Sequence, residues 1–383
     1  MHRILALFVI LLAFSCAKDQ PAHHAGSKRA FYYWQTAMYN FDWNDSLFRS
    51  MEVDRMYFRF FDVDWNAEVK APVPVSPLEL YSFPQWKDST ELIPVVFITN
   101  ETFKNLDLKG SEALAAHVHK KVMGKLNTYL LSEFNWNDGW WEQNPYNVKS
   151  KALNEQFKHD SVYAAKIKLV KEVQFDCDWT KSTEEKYFAF LAASKRLFKE
   201  QVVSSTVRLY QYRYPKEAGL PPVSRGMLMC YNAGDIKSRE TLNSVFDKKE
   251  VMEYLDDADE YPIPLDYALP IFEWAVLYQD GKFAKILPAE QLLNNYGSLL
   301  TSKTSSIKIA SEDFVFGNTA SSVYIRKGDE LRFETPDMND VSEVATWLSD
   351  HKNNTQSTIT FYHLNQHDLE KNAEAIKRIF GSF

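Results

Sequence analysis

Short runs of apolar, β-branched and aromatic residues recur along the chain and alternate with helical patterns. Eight runs predict strands, at residues 30–36, 55–64, 92–99, 173–179, 205–214, 226–231, 263–272 and 358–364. Apolar spacing of three and four residues predicts helices at 111–134, 183–200, 247–255 and 368–380. Strands that alternate with helices indicate a parallel sheet, and eight of them favour a closed (β/α)₈ TIM-type barrel over an open doubly wound sheet.

The repeat is interrupted after the seventh strand, where residues 275–335 contain further strand-like segments. Within them, the segment from Tyr278 to Lys282 includes Asp280 and Gly281 and is typical of a hairpin turn. We interpret this region as a β-rich insertion in a barrel domain that spans residues 29–383. A separate small β domain is the alternative.

The amino terminus has the pattern of a secretory signal. Arg3 precedes an apolar run at 4–14, which is too short to span a bilayer. Ala13, Ser15 and Cys16 resemble the lipobox of bacterial lipoproteins. This resemblance implies a signal peptide at 1–15, acylation of Cys16 by palmitate or a related chain, and a polar tether at 16–28. It also implies a lipid-anchored place in the cell envelope, at the outer membrane of a Gram-negative bacterium. An ordinary signal peptide that contains a cysteine is the alternative.

The amino-acid composition excludes several classes of protein and partner. The 383 residues are 45% hydrophobic and 25% charged, as in ordinary globular proteins, which argues against disordered, collagen-like and polytopic membrane classes. The net charge of −7 is spread without long blocks, so we expect no nucleic-acid partner. Cys177 and Cys230 lie in apolar runs that predict buried free thiols. No cysteine–histidine cluster has zinc spacing, so neither a metal nor another cofactor is predicted.

Polar residues stand where several predicted strands end, which is where the active site of such a barrel lies. They are Asp62 and Asp64 after the second strand, Glu101 after the third, Asp176 and Asp178 in the fourth, and Tyr231 and Asn232 at the sixth. A single carboxylate of this kind, such as Asp64, is equally explained as a helix cap. Several of them together predict a wet, polar cleft.

Strand alternation places Asp176 and Asp178 on one face, and Phe175, Cys177 and Trp179 on the other. We therefore expect both acids to point into the barrel. Their like charges should raise the pKa of one of the two carboxyl groups, unless a cation lies between them. Arg59 and Arg208 are the candidate cations. Arg59 is out of register with Asp62 and Asp64, so it needs a bulge or a side chain that reaches around the strand.

Residues 176–180, Asp-Cys-Asp-Trp-Thr, resemble the fourth-strand Asp-x-Asp-Trp-Glu pattern of family-18 glycoside hydrolases, the chitinase-like barrels. Residues 229–232, Met-Cys-Tyr-Asn, are similar to their sixth-strand Met-x-Tyr-Asp. The resemblance implies that Asp178 and Tyr231 orient an N-acetyl group. It also places Thr180 where the family has its acid Glu, and Asn232 where it has Asp. A threonine hydroxyl is too weakly acidic to serve as a general acid. Residues 219–232 and 265–274 also look like a group of bacterial lipoproteins with predicted barrels, a likeness that implies no activity.

Three functions remain open. In the first, the anchored barrel binds an oligo- or polysaccharide without cleaving it, with Trp34, Trp65 and Trp274 as candidate sugar platforms, although tryptophans at such positions more often serve packing. In the second, it is an active glycosidase with Glu101 or Glu273 as the acid and Asp178 or Asp62 opposite. In the third, it is a structural or assembly lipoprotein whose insertion contacts a partner.

Overall fold

The computed structural model describes residues 26–38, 41–79, 89–135, 167–232, 234–256, 258–317, 322–351, 353–354 and 356–383. The predicted signal peptide at 1–15, the acylation site Cys16 and most of the tether at 16–28 lie outside these residues. None of the helices in the described ranges combines the length and the apolar composition that a bilayer crossing requires.

The strands are numbered in chain order. They are β1 (Lys28–Tyr33), β2 (Arg55–Asn66), β3 (Ala71–Val75), β4 (Glu91–Ile98), β5 (Glu172–Asp176), β6 (Val202–Arg208), β7 (Arg225–Met229), β8 (Leu265–Pro270), β9 (Trp274–Gln279), β10 (Lys282–Pro288), β11 (Leu300–Ser302), β12 (Ile307–Ala310), β13 (Phe314–Phe316), β14 (Val323–Ile325), β15 (Glu330–Glu334) and β16 (Thr358–Tyr362).

The helices are α1 (Ser46–Ser50), α2 (Asn100–Asn105), α3 (Leu108–Asn135), α4 (Glu184–Leu197), α5 (Leu209–Arg213), α6 (Pro215–Ala218), α7 (Lys248–Leu255), α8 (Ala289–Tyr296), α9 (Met338–His351) and α10 (Gln366–Ser382). The strand predicted at 205–214 is wrong beyond Arg208, because the chain turns into α5 there. In that turn, the backbone N–H of Arg208 donates to Gln211 Oε1 over 2.8 Å, which fixes the start of the helix.

Eight parallel strands close into a barrel in the order β1, β2, β4, β5, β6, β7, β8 and β16. The ring is closed by β1, which pairs in parallel with β16 on one side and with β2 on the other. Each strand overlaps one of the eight runs predicted from the sequence, and the TIM-type (β/α)₈ fold is confirmed. The short β3 extends the end of β2 as an antiparallel partner.

The β-rich insertion follows β8. Its five-stranded antiparallel sheet has the order β10, β9, β15, β12 and β11, and a second pair joins β13 to β14. Leu277, Leu292, Ile325 and Leu331 form part of a small core of its own. The hairpin from β9 to β10 turns at Asp280 and Gly281, whose φ angles of 50° and 74° suit a tight two-residue turn.

Strand β5 shows how alternation sorts side chains in the barrel. Phe175 points outward and packs 4.9 Å from the ring of Phe190 in α4. The Tyr32 hydroxyl donates to Gln174 Oε1 inside the barrel, on the same face of β5 as Asp176. The strand therefore carries its polar residues inward, toward the mouth.

The amino end of the barrel is filled by a buried charged cluster. Arg55 Nε lies 2.7 Å from Glu91 Oε2, and Arg55 Nη1 lies 3.2 Å from Glu172 Oε2 and 3.9 Å from Asp266 Oδ2. All four side chains are buried. Buried charges are tolerated only when they are paired, and here Lys28 and Lys171 at Glu91 and Arg225 at Asp266 add to the central arginine.

Candidate functional site

A cleft of about 850 Å³ lies at the carboxyl end of the barrel, beyond β5, β6 and β7. Its lining includes Asp178, Thr180, Arg208, Tyr210, Tyr231 and Asn232. Parallel strands deliver their carboxyl ends to one side of the barrel, so residues distant in sequence converge there. The structure thus brings together four of the predicted site residues: Asp178, Arg208, Tyr231 and Asn232.

Asp178 and Arg208 form an ion pair in this cleft. Arg208 Nε lies 3.3 Å from Asp178 Oδ1. The two residues lie side by side at the ends of neighbouring strands, Asp178 just beyond β5 and Arg208 at the end of β6. Of the two candidate cations, Arg208 is therefore the one that pairs with an acid of the β5 motif.

Asp176 lies deeper than Asp178 and accepts a 2.7 Å hydrogen bond from Thr206 Oγ1 of β6. Burial is the main cause that raises the pKa of Asp176 to about 7, and the negative charge of Asp178 adds to it. The bond from Thr206 and the charge of Arg208 act in the opposite direction. Asp176 is thus a carboxyl group that changes protonation close to neutral pH.

Tyr231 and Asn232 form the part of the cleft that follows β7. The Tyr231 ring stacks on Tyr362 with centroids 5.2 Å apart, and burial raises the pKa of its hydroxyl, which stays protonated. Asn232 has a φ of 54°, and its backbone N–H donates to Val245 O over 2.9 Å. Asn232 Oδ1 is buried without a hydrogen-bond partner among the described residues. A buried carbonyl of this kind is an available acceptor for a ligand.

Thr180 stands at the edge of the cleft. Its hydroxyl lies 3.0 Å from Ser182 Oγ and 3.4 Å from Thr183 Oγ1, in the turn that precedes α4. This hydroxyl supplies no acidic proton at neutral pH. Thr180 therefore brings a polar group without acid function to the edge of the cleft.

Asp62 and Asp64 lie at the mouth but outside the lining of the cleft. A bulge in β2 between Arg59 and Phe61 resolves the register conflict, because it lets Arg59 donate to both carboxylate oxygens of Asp62, with Nε 2.7 Å from Oδ1. Asp64 Oδ1 accepts from Thr99 Oγ1 over 2.8 Å. Both carboxylates thus have partners within the protein.

The predicted platform Trp34 also lies outside the lining of the cleft. Its ring lies 5.5 Å from Tyr362, and the Arg59 guanidinium lies 5.6 Å above it. Trp274, the second platform, donates from Nε1 to Glu334 Oε2 over 2.8 Å. Packing and hydrogen bonding inside the protein account for both side chains.

The two acids considered for a glycosidase, Glu101 and Glu273, do not line the cleft. Glu101 is exposed on α2, and hydrogen bonds from Lys104 and Asn105 lower the pKa of its carboxyl. Glu273 Oε2 lies 2.5 Å from Lys371 Nζ, and its other oxygen lies 3.5 Å from His367 Nε2. The structure therefore does not bring either acid to Asp178.

Glu273, His367 and Asp368 are the described residues whose ligand atoms could hold a metal ion, since these atoms all lie within 4.8 Å of one another. Two features disfavour a cation there. The ammonium group of Lys371 already contacts Glu273, and the first turn of α10, with its partial positive charge, carries His367 and Asp368. Burial raises the pKa of Asp368 to about 6.

Sequence reasoning missed several residues of the cleft, among them Tyr210, Glu217, Gly234 and Asp235. Tyr210 is 53% exposed and lies in α5, in the segment that was predicted as strand. An exposed tyrosine two residues after Arg208 is a local signal for this wall.

No protein-family model and no curated protein sequence matches the chain. Among solved structures, the chain is similar to the spore cortex-lytic enzyme SleL of Bacillus cereus, with 13% identity over 93% of this chain and 74% of that one, and a TM-score of 0.44. It is also similar to a chitinase from Chromobacterium violaceum, with 10% identity, coverage of 92% and 98%, and a TM-score of 0.46. A GH18 chitinase from Cycas revoluta, in complex with (GlcNAc)4, shows 11% identity, coverage of 93% and 99%, and a TM-score of 0.41. The barrel assignment rests on the strand pairing of this chain itself.

Proposed function

We propose that this protein binds an N-acetylated glycan in the cleft beyond β5, β6 and β7, and does not cleave it by the chitinase mechanism. One observation carries the proposal. The cleft unites Asp178, Tyr231 and Asn232 around an open volume, with Thr180 in its lining. These groups suit an acetamido sugar, and the position that the sequence resemblance gives to the catalytic acid is a threonine.

Each of these side chains supplies a different contact. The Asp178 carboxylate accepts a charge-assisted hydrogen bond from the amide N–H of the ligand. The protonated hydroxyl of Tyr231 donates to the acetyl carbonyl, and Asn232 Oδ1 accepts from a sugar hydroxyl. The exposed ring of Tyr210 offers a flat apolar surface on which the C–H face of a sugar ring packs.

The test is isothermal titration of the full-length chain in detergent with (GlcNAc)4, alongside cellotetraose, which has the same chain length and no acetamido group. We expect binding of the first sugar and much weaker binding of the second. Tyr210→Ala should weaken binding about tenfold, a loss of one stacking contact. Tyr324→Ala is the matched control, since Tyr324 is 54% exposed on β14 of the insertion, away from the cleft.

Two outcomes count against the proposal. Absence of binding to (GlcNAc)4, chitin and peptidoglycan alike removes glycan binding. Release of shorter sugars during the titration, detected by mass spectrometry and lost in Asp178→Asn, shows that the protein is a glycosidase.

We also propose that Cys16 is acylated and anchors the protein to the cell envelope. The support is the order Ala13, Ser15 and Cys16 after the apolar run at 4–14. Metabolic labelling with an alkyne analogue of palmitate should mark the wild-type chain and not Cys16→Ser. Equal labelling of both chains, or of neither, contradicts the anchor.

A further inference from the structure

One wall of the cleft contains residues of the loop between β7 and α7, described at 230–232 and 234–247 and called here the β7–α7 loop. Asn232, Gly234 and Asp235 of this loop line the cleft. The bond from Asn232 N–H to Val245 O joins its two ends at the base. A loop held only at its base is free to move, so its remaining contacts decide the shape of the wall.

The insertion supplies such a contact through Glu334 at the end of β15. Glu334 Oε2 accepts hydrogen bonds from Ser244 N over 2.8 Å and from Ser244 Oγ over 2.5 Å. The same oxygen accepts from Trp274 Nε1 over 2.8 Å. Glu334 is only 2% exposed, and bonds from several donors to one buried carboxylate oxygen are strong and directional.

Arg332, two residues earlier on β15, holds the other half of the loop. Its guanidinium donates to Ser238 O over 2.7 Å and to Ile236 O over 3.3 Å. It also donates from Nε to Glu334 Oε1, so it compensates the buried charge of that carboxylate. The Tyr278 hydroxyl of β9 lies 3.1 Å from each of the same two carbonyls.

Ser244, which is bonded to Glu334, lies directly beside Gly234 in the wall of the cleft. A Cβ atom added to Gly234 would lie 3.3 Å from Ser244 Cα and 3.1 Å from Thr241 Cγ2. Gly234 therefore packs closely against Ser244, and a side chain at this position would push against the backbone of Ser244. A shift of Ser244 would displace Gly234, which lines the cleft.

From this chain of contacts we propose that Glu334 and Arg332 are positioning residues for ligand binding, and that the insertion sets the form of one cleft wall before the ligand arrives. The inference rests on the proposed function, since the property that it concerns is glycan affinity. A wall that is ordered in advance spares the ligand the cost of ordering it. The insertion is thus a part of the binding site although Glu334 and Arg332 are buried behind the wall.

The test combines affinity with amide hydrogen exchange in Glu334→Gln, which keeps the shape of the side chain and removes its charge. We expect about tenfold weaker binding of (GlcNAc)4, because the amide group replaces one acceptor by a donor. We also expect faster exchange within residues 234–246, with unchanged exchange in β5 and β6. A uniformly destabilised protein would instead show faster exchange throughout the barrel.

Asp329→Asn is the matched control. Asp329 is also a buried carboxylate of the insertion, but it accepts its hydrogen bonds from residues of the insertion itself, Gln279 Nε2 over 2.6 Å and Arg326 N over 2.8 Å. We expect wild-type affinity and wild-type exchange in the loop. If Glu334→Gln fails to fold, Ser244→Ala removes one of the donors to Glu334 and should give the same changes at smaller size.

If Glu334→Gln binds the glycan with wild-type affinity, the inference is wrong. If that variant does not fold, the same result in Ser244→Ala has the same meaning. In either case the proposed glycan binding still stands. If the wild-type chain binds no glycan, the proposed function fails by itself. Hydrogen exchange then tests by itself whether Glu334 and Arg332 hold the β7–α7 loop in place. Unchanged exchange of the loop in the variant refutes that they do.

Discussion

Arg208 Nε lies 3.3 Å from Asp178 Oδ1, and each of the two side chains remains nearly half exposed in the cleft. An ion pair with this exposure contributes less than about 1 kcal/mol to the free energy of unfolding. The Asp178 carboxylate is nevertheless the charged hydrogen-bond acceptor for the proposed ligand. We therefore expect Asp178→Asn to weaken (GlcNAc)4 binding about tenfold in calorimetry, while the unfolding free energy in urea changes little.

Glu101→Gln is the control for this prediction. Glu101 forms an equally exposed ion pair with Lys104, at 3.1 Å, outside the lining of the cleft. Neither affinity nor stability should change. Equal loss of affinity in both variants would mean that Asp178 acts only through the overall charge of the protein.

Asp176 should make the stability of the barrel depend on pH. Its pKa in the folded protein is about 7, whereas an unfolded aspartate titrates near about 3.9. Because the folded pKa is the higher one, the folded state is favoured while Asp176 is protonated. That advantage is complete below about pH 4 and is lost as pH rises through about 7. Between about pH 5 and about pH 8 the wild type should lose on the order of 2 kcal/mol that Asp176→Asn does not lose.

Urea unfolding at several pH values measures this difference, and Thr206→Val provides a second check. The Thr206 hydroxyl lowers the pKa of Asp176, so its removal should move the loss of stability to higher pH. Parallel pH profiles for the wild type and Asp176→Asn would show that Asp176 does not titrate in this range.

The strands were predictable from the sequence because parallel strands buried on both faces read as apolar, β-branched runs. The run at 205–214 shows where this signal fails. Its aromatic residues suit a strand, but the barrel wall ends at Arg208, and the bond from its backbone N–H to Gln211 begins a helix. The end of a strand is set by the position of the barrel mouth, which no local pattern encodes.

The site divides in the same way. Asp178, Tyr231 and Asn232 were found because strand ends converge at the mouth of a barrel. Glu273 also follows a strand, yet it lies outside the lining of the cleft and its carboxylate accepts from Lys371, 98 residues later. Glu334 was missed because its role depends on Ser244, which lies 90 residues earlier. Such partners follow only from the packed structure.

Removal of Arg55 should destabilise the barrel strongly. Among the described residues, Arg55 is the cation that pairs with the buried Glu172 carboxylate, at 3.2 Å, so its loss leaves that charge buried and unpaired. Glu91 keeps its pairs with Lys28 and Lys171. We expect Arg55→Met to lower the free energy of unfolding by about 3–5 kcal/mol in urea titrations. Lys104→Met, at an exposed ion pair, should stay within about 0.5 kcal/mol of wild type. A loss below about 1 kcal/mol in Arg55→Met would show that the cluster adjusts by taking up protons.

Thr180→Glu tests the proposal that Thr180 stands at the position of a catalytic acid. A positioned proton donor contributes about 10²–10⁴ in rate, so we expect this variant to release nitrophenol from a chromogenic N-acetylchitobioside at a rate clearly above wild type. Thr180→Gln has the same shape without an acidic proton and should match wild type. Equal rates in the Glu and Gln variants would show that the missing acid does not limit hydrolysis.

The direction of β1 fixes how the protein faces its surroundings. Lys28 begins this strand at the amino end of the barrel, beside Thr358, whereas the cleft opens at the opposite end. Any segment that precedes residue 26 therefore joins the barrel on its far side. With Cys16 acylated as proposed, the lipid anchor would join the barrel at the end opposite the cleft. The cleft would then face away from the membrane, and a glycan polymer could reach it without passing between the protein and the bilayer.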